Sequence, residues 1–185
     1  MKQIILLLIV IINSSLFAAD TELQLYRPFT ETTKQAPLKI VQQKIGECIQ
    51  QSKLIVREDA WRCVTESDTY DPCFVKPYGD KKTAVCPGNP WNEQSIEIRV
   101  SKPLDNSLHA TLDMSQTFPW GIELVSGKKC YAVDEAIQYD NLPVHYRCDE
   151  STVLIGHVQR CNAMWKMLEH NSQGITTVEL AKAWF

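Results

Sequence analysis

Seven cysteines are the residues of this 185-residue sequence whose types and spacing most narrow the chemistry: Cys48, Cys63, Cys73, Cys86, Cys130, Cys148 and Cys161. Thiols can ligate a metal, attack as nucleophiles or cross-link. Metal binding shows in a sequence as close pairs such as Cys-x-x-Cys, and none occurs here. A nucleophilic thiol must be held reduced beside a base. Cys63 or Cys161 would be the candidates, and no local motif supplies the base. Cross-linking fits better. Cys73 and Cys86 bracket one loop, and Cys130 and Cys148 lie on strands of neighbouring hairpins, so we expect these two bonds among the many that the cysteines allow. The count is odd. One thiol is therefore free, capped or joined to a second chain, which leaves a disulfide-linked dimer open.

The other chemistry-bearing residues are scattered. His145 and His157 fall on adjacent candidate strands, with His109 and His170 elsewhere. With the turn centred between Glu150 and Ser151, His145 faces Gly156 and His157 faces Val144. Neighbouring residues of a strand point to opposite sides, so the two imidazoles are expected to point apart, unless the pairing slips by one residue. Asp134-Glu135 and Asp149-Glu150 sit at turns, where carboxylates are common. No Gly-x-Ser-x-Gly, phosphate loop or His-Glu-x-x-His is present. We therefore expect no catalytic set, no metal and no cofactor. The five tryptophans, Trp61, Trp91, Trp120, Trp165 and Trp184, suit either core packing beside disulfides or contact with a ligand. Trp91 follows Pro90 in a loop. It is the one expected to be exposed, and the single candidate binding residue.

These residues must be positioned by a chain that the N-terminus marks for export. Lys2 precedes an unbroken apolar run over residues 4–12, and Phe17-Ala18-Ala19 closes it. That is the pattern of a signal peptide, read here as residues 1–19. The run is too short to span a bilayer, and no later stretch is longer. The expected location is extracytoplasmic, secreted or periplasmic, where disulfides form. The formal net charge is −3, one unit more negative once Lys2 is removed. Without clustered Lys and Arg, nucleic acid is excluded as a partner.

Residues 20–36 read as a polar leader, and 37–185 as a single mostly-β domain. Pro37 precedes Leu38, Val41, Ile45, Cys48 and Ile49, whose spacing predicts a short N-terminal helix, although Gly46 weakens it. Beyond it the grammar is of short strands between turns. Ile96, Ile98 and Val100 alternate with charged and polar residues, the period of a half-buried strand. The final third reads as three hairpins, over 120–133, 142–158 and 164–184. Three successive hairpins predict an antiparallel meander, closed into a small barrel or folded as a sandwich.

Certain signposts recur in order: Ala60-Trp61-Arg62-Cys63, Tyr70-Asp71-Pro72-Cys73-Phe74, Val85-Cys86-Pro87, Pro90-Trp91 and Pro119-Trp120-Gly121-Ile122-Glu123-Leu124 with Gly127 and Cys130. Tyr146-Arg147-Cys148, Leu154-Ile155-Gly156, Trp165 and Ala183-Trp184-Phe185 follow. The set resembles a group of uncharacterised exported bacterial proteins over about residues 54–185. The resemblance implies an extracytoplasmic domain with paired cysteines and assigns no activity. Cys48 and Cys161 lie outside the shared string, so an extra bridge between them is expected, tying the helix to the third hairpin and leaving Cys63 unpaired. The functional expectation is a non-catalytic binding or inhibitory protein. It would present loops 65–94 and 134–142 to a protein or glycan ligand. The alternative is a secreted hydrolase whose site is assembled from distant residues.

Overall fold

The computed structural model describes residues 20–29 and 38–185. Residues 1–19, where a signal peptide is expected, and residues 30–37 lie outside it. The described residues form fourteen strands and no helix: β1 (Glu22–Gln24), β2 (Lys39–Ile45), β3 (Glu47–Gln51), β4 (Ala60–Val64), β5 (Thr69–Val75), β6 (Thr83–Pro87), β7 (Gln94–Arg99), β8 (Gly121–Leu124), β9 (Lys129–Ala132), β10 (Gln138–Tyr139), β11 (Leu142–Arg147), β12 (Val153–Gln159), β13 (Lys166–Asn171) and β14 (Gly174–Trp184). They make two sheets.

The first sheet runs β2-β7-β6-β5-β4-β3. Its two ends are consecutive in the chain. β2 lies parallel to β7, and β3 antiparallel to β4, with Gly46 as the bend between them. The bend needs glycine because a Cβ there would sit 2.4 Å from the Val64 carbonyl oxygen and 3.1 Å from Ile98 Cγ2. One bent strand therefore reaches both borders of the sheet. Inside lie Trp61, Val75, Ala84, Ile98 and Val100, together with Cys63, Cys73 and Cys86. The expected alternation along β7 is present: Ile98 is fully buried, while Arg99 faces solvent.

The predicted helix is not there. Leu38 precedes β2, and Val41, Ile45, Cys48 and Ile49 lie on β2 and β3. A helix at that spacing would hide one face, yet Val41, Ile45 and Ile49 are 51, 86 and 55% exposed. Ile40, Val41, Ile45 and Ile49 are β-branched and favour extended backbone. The ladders to β7 and β4 supply the hydrogen bonds that a helix would have made internally. The bridge Cys48–Cys63 pins β3 to β4. The expected pairing of Cys48 with Cys161 is thereby corrected, as is the unpaired Cys63. Cys48 and Cys63 are cross-strand neighbours, and the exposed free thiol is Cys161. Cys73–Cys86 and Cys130–Cys148 complete the set of three.

The second sheet contains the three expected hairpins, β8–β9, β11–β12 and β13–β14. They close into a six-stranded antiparallel barrel. β11 pairs with β9, and β14 returns to β8. Ile122, Leu124, Cys130, Tyr146, Leu154, Met167 and Leu180 fill its interior. The buried Tyr146 hydroxyl donates to the Pro119 carbonyl at 2.6 Å. β1, from the leader, adds to β14 in parallel.

The two sheets meet along an aromatic seam of Tyr26, Phe74, Trp120, Trp184 and Phe185. The Tyr26 ring lies 5.3 Å from Phe74 and 5.0 Å from Trp120. Arg57 is buried here. Its guanidinium donates to the carbonyls of Tyr26 and Phe185, pairs with Asp59 at 2.7 Å and covers the Phe74 ring. These partners offset the cost of burying the cation, and removing one of them would leave a buried charge uncompensated.

Candidate functional site

Trp91 is placed by the seam. Its indole is half-buried and lies 5.5 Å from Trp184, edge to face, with Lys129 over the ring. Its neighbour Pro90 presses so closely on Gly121 that a Cβ there would come within 2.3 Å of Pro90 Cγ. The loop expected to present a free tryptophan therefore joins the sheet to the barrel. The 134–142 loop is also engaged. Glu135 pairs with Arg147 at 2.6 Å, and Asp134 with Lys53 at 3.0 Å and Arg62 at 3.3 Å. Tyr139, on β10, stacks on His170.

The enzyme-like groups are held by structural partners. The Asp71 side chain is largely covered, and burial pushes its pKa above the usual range, against the opposing pull of Ser52, the Lys53 amide and Arg62. Ser52 Oγ donates to it, and the Lys53 amide and Arg62 donate as well. Ser52 Oγ also accepts from the amides of Leu54 and Ile55. The group fastens the turn after β3. The buried sulfurs of Cys63, Cys73 and Cys86 lie within 4.8 Å of one another, the one such cluster of potential metal ligands among the described residues. Each is oxidised in a disulfide, and a metal ligand must be a thiolate. An open depression of about 360 Å³ lies between the β8–β9 turn and β13–β14. Its two charges, Lys166 and Glu179, neutralise each other at 3.1 Å.

His145 and His157 come together, against expectation. Two departures from the simple register do this. Arg147 pairs with Val153 and Tyr146 with Leu154, one residue off the expected pairing, and Val144 then pairs with Ile155. The second shift is a bulge at His145. On β12, next to Ile155, Gly156 takes a φ of 71°, which glycine tolerates without strain. Bulges re-aim side chains, and here they bring the two imidazoles to one side, 6.3 Å apart, with Phe118 stacked on His145 at 4.5 Å. Burial, and then the charge of His157, hold the His145 pKa below the ordinary imidazole range.

No protein-family model, no curated protein and no solved structure matches this chain. Its site must be judged by its own geometry. The least covered of the longer strands is β2. Six of its seven residues are exposed, on both faces of the strand, and only Lys44 is half-covered. Among the described residues it pairs with β7 alone. Lys44 is held by Asp68 at 2.7 Å and by the Tyr70 hydroxyl at 2.6 Å, and the hydrogen bonds raise its pKa. This fixes the strand at its bend, and no described strand pairs with its outer edge. Sequence reading missed β2 as a surface because it assigned those aliphatic residues to a buried helical face. The available signal was the β-branched run Ile40-Val41 followed by two uncharged glutamines.

Proposed function

We propose that the protein is an exported, non-catalytic binding protein whose β2 edge accepts an extended segment of a partner protein as an added strand. The observation that carries this reading is the seven-residue edge strand with Ile40, Val41 and Ile45 exposed. Edge strands are usually shortened, covered or broken by proline or inward charge, because their free amides and carbonyls recruit another strand. Over 40–43 β2 carries no proline and no charge, and no described strand covers its outer edge; a bulge between Ile40 and Gln42 and the flanking Lys39 and Lys44 protect it only in part. Strand addition draws affinity from main-chain hydrogen bonds and specificity from alternate side chains. Apolar residues on both faces suit a polypeptide with its own apolar side chains, and not a glycan. Lys39 stands exposed at the start of β2, and no carboxylate lies on the strand, which favours a segment with an acidic end. The three disulfides and the absence, among the described residues, of a helix able to cross a membrane are compatible with work outside the cytosol. The resemblance to exported bacterial proteins points the same way.

The test is site-specific photo-crosslinking in an extracytoplasmic fraction, with the photo-reactive residue at Val41 and, as control, at Ser126. The expected result is a discrete adduct from Val41 alone. It maps to an extended segment of another protein, and excess unlabelled protein competes it away while the Val41→Lys variant does not. No adduct above the Ser126 control, or an adduct only with a second copy of this chain, would overturn the reading.

A further inference from the structure

We infer that residues 104–118 form a strap across the seam whose barrel end is released by acid through His145, while its sheet end stays fastened. The strap joins β7 to β8 without regular structure. At its sheet end, Leu104 N donates to the Lys81 carbonyl at 2.9 Å, and Asn106 Nδ2 donates to the Glu58 carbonyl at 2.9 Å. His109 Nδ1 lies 3.0 Å from that same carbonyl, and its ring sits 4.2 Å from Trp61. The side-chain amide of Gln51 exchanges two hydrogen bonds with the backbone of Ala110. In the middle, Leu112 and Met114 pack on the aromatic seam. At the barrel end, Arg160 donates to the carbonyls of Met114, Ser115 and Thr117. Phe118 lies flat on His145.

The two ends are fastened by different groups. His145 Nε2 is buried without a hydrogen-bond partner. A proton added to this ring meets His157 from β12. The nearby carboxylates are engaged elsewhere. Asp113, on the strap, accepts from the Ser115 amide and hydroxyl. Asp134 and Glu135, after β9, are paired with Lys53, Arg62 and Arg147. The closed strap therefore takes up the proton less readily than the open one. Closure is fully favoured above the ordinary imidazole range and loses ground as pH falls through it. Burial as the main cause of the lowered His145 pKa agrees with that direction. The sheet end is fastened besides by the hydrogen bonds of Leu104, Asn106 and Gln51, none of which involves a group that titrates in this range.

Hydrogen exchange of the intact protein, corrected for intrinsic rates, tests this at about pH 5 and about pH 7.5, either side of the imidazole range. The expected result is faster exchange over 113–118 at the acid pH, by up to about tenfold per pH unit for one coupled proton, with 104–110 unchanged. His145→Phe preserves the stacking and should abolish the acid response. His157→Gln should weaken it, and carries the test should the first variant not fold. Equal protection of 113–118 at both pH values, equal loosening of both ends, or an acid response that survives in either variant at full size would overturn the proposal.

Discussion

The sheet of β2–β7 and the barrel of β8–β14 each close through one long strand that changes partners, yet they are filled differently. In the sheet, β2 and β3 are halves of one strand bent at Gly46. In the barrel, β14 pairs first with β13 and then with β8 and β1, with a register shift between Leu180 and Lys182. The sheet holds two disulfides against a core in which Trp61, Val75, Ile98, Val100 and Leu104 are the large apolar residues. The barrel holds one disulfide and a fuller core of Ile122, Leu124, Tyr146, Leu154, Met167 and Leu180. Covalent links replace apolar volume where a small enclosure cannot supply enough of it. The sheet can then leave β2 uncovered, because its fold does not depend on burying that strand.

The comparison can be broken most directly by reduction. The two sheet disulfides span 15 and 13 residues, and loops of this size contribute about 3 kcal/mol each. Reduction should therefore abolish exchange protection over 60–99 while the barrel strands keep theirs. Simultaneous loss in both regions would show that the barrel depends on the sheet. Next in size is Leu180→Ala, which removes a fully buried side chain from the barrel core and should cost about 2–5 kcal/mol in urea unfolding. Gly46→Ala should cost about 1–3 kcal/mol, since the new methyl meets backbone at Val64 and forces the bend apart. Its exchange signature should be confined to β2 and β3. The smallest effect is Tyr146→Phe, which removes one buried hydrogen bond and leaves the Pro119 carbonyl without it, for about 1–3 kcal/mol at most. A cost near zero there would mean that the carbonyl finds another donor.

The barrel was legible because each hairpin carries its own turn. Gly127 and Gly174 take φ values of 83° and 113°, and the flanking residues alternate between core and solvent. Cys130–Cys148 follows from two of those strands being neighbours. The sheet was less legible because its decisive contacts join distant residues. Cys48 finds Cys63 only after Gly46 has turned the chain back along β4, and nothing local announces that bend. Trp91 looked like a free loop residue because its partner, Trp184, lies across the seam on the last strand. The convergence of His145 and His157 was hidden for another reason. A bulge and a one-residue slip leave no mark in composition, and either reverses the face of every following side chain. The spacing over 38–49 misled because aliphatic residues three and four apart on an exposed strand mimic a buried helical face.

The claim on which the functional reading rests is that β2 has one free edge. Residue-resolved amide exchange over 39–45 in the isolated protein tests it. In a ladder paired on one side, alternate amides point to the partner strand. The account predicts that amides facing β7 are protected and that those facing away exchange at close to their intrinsic rates. Uniform protection along the strand would contradict it, since the outer edge would then already be covered.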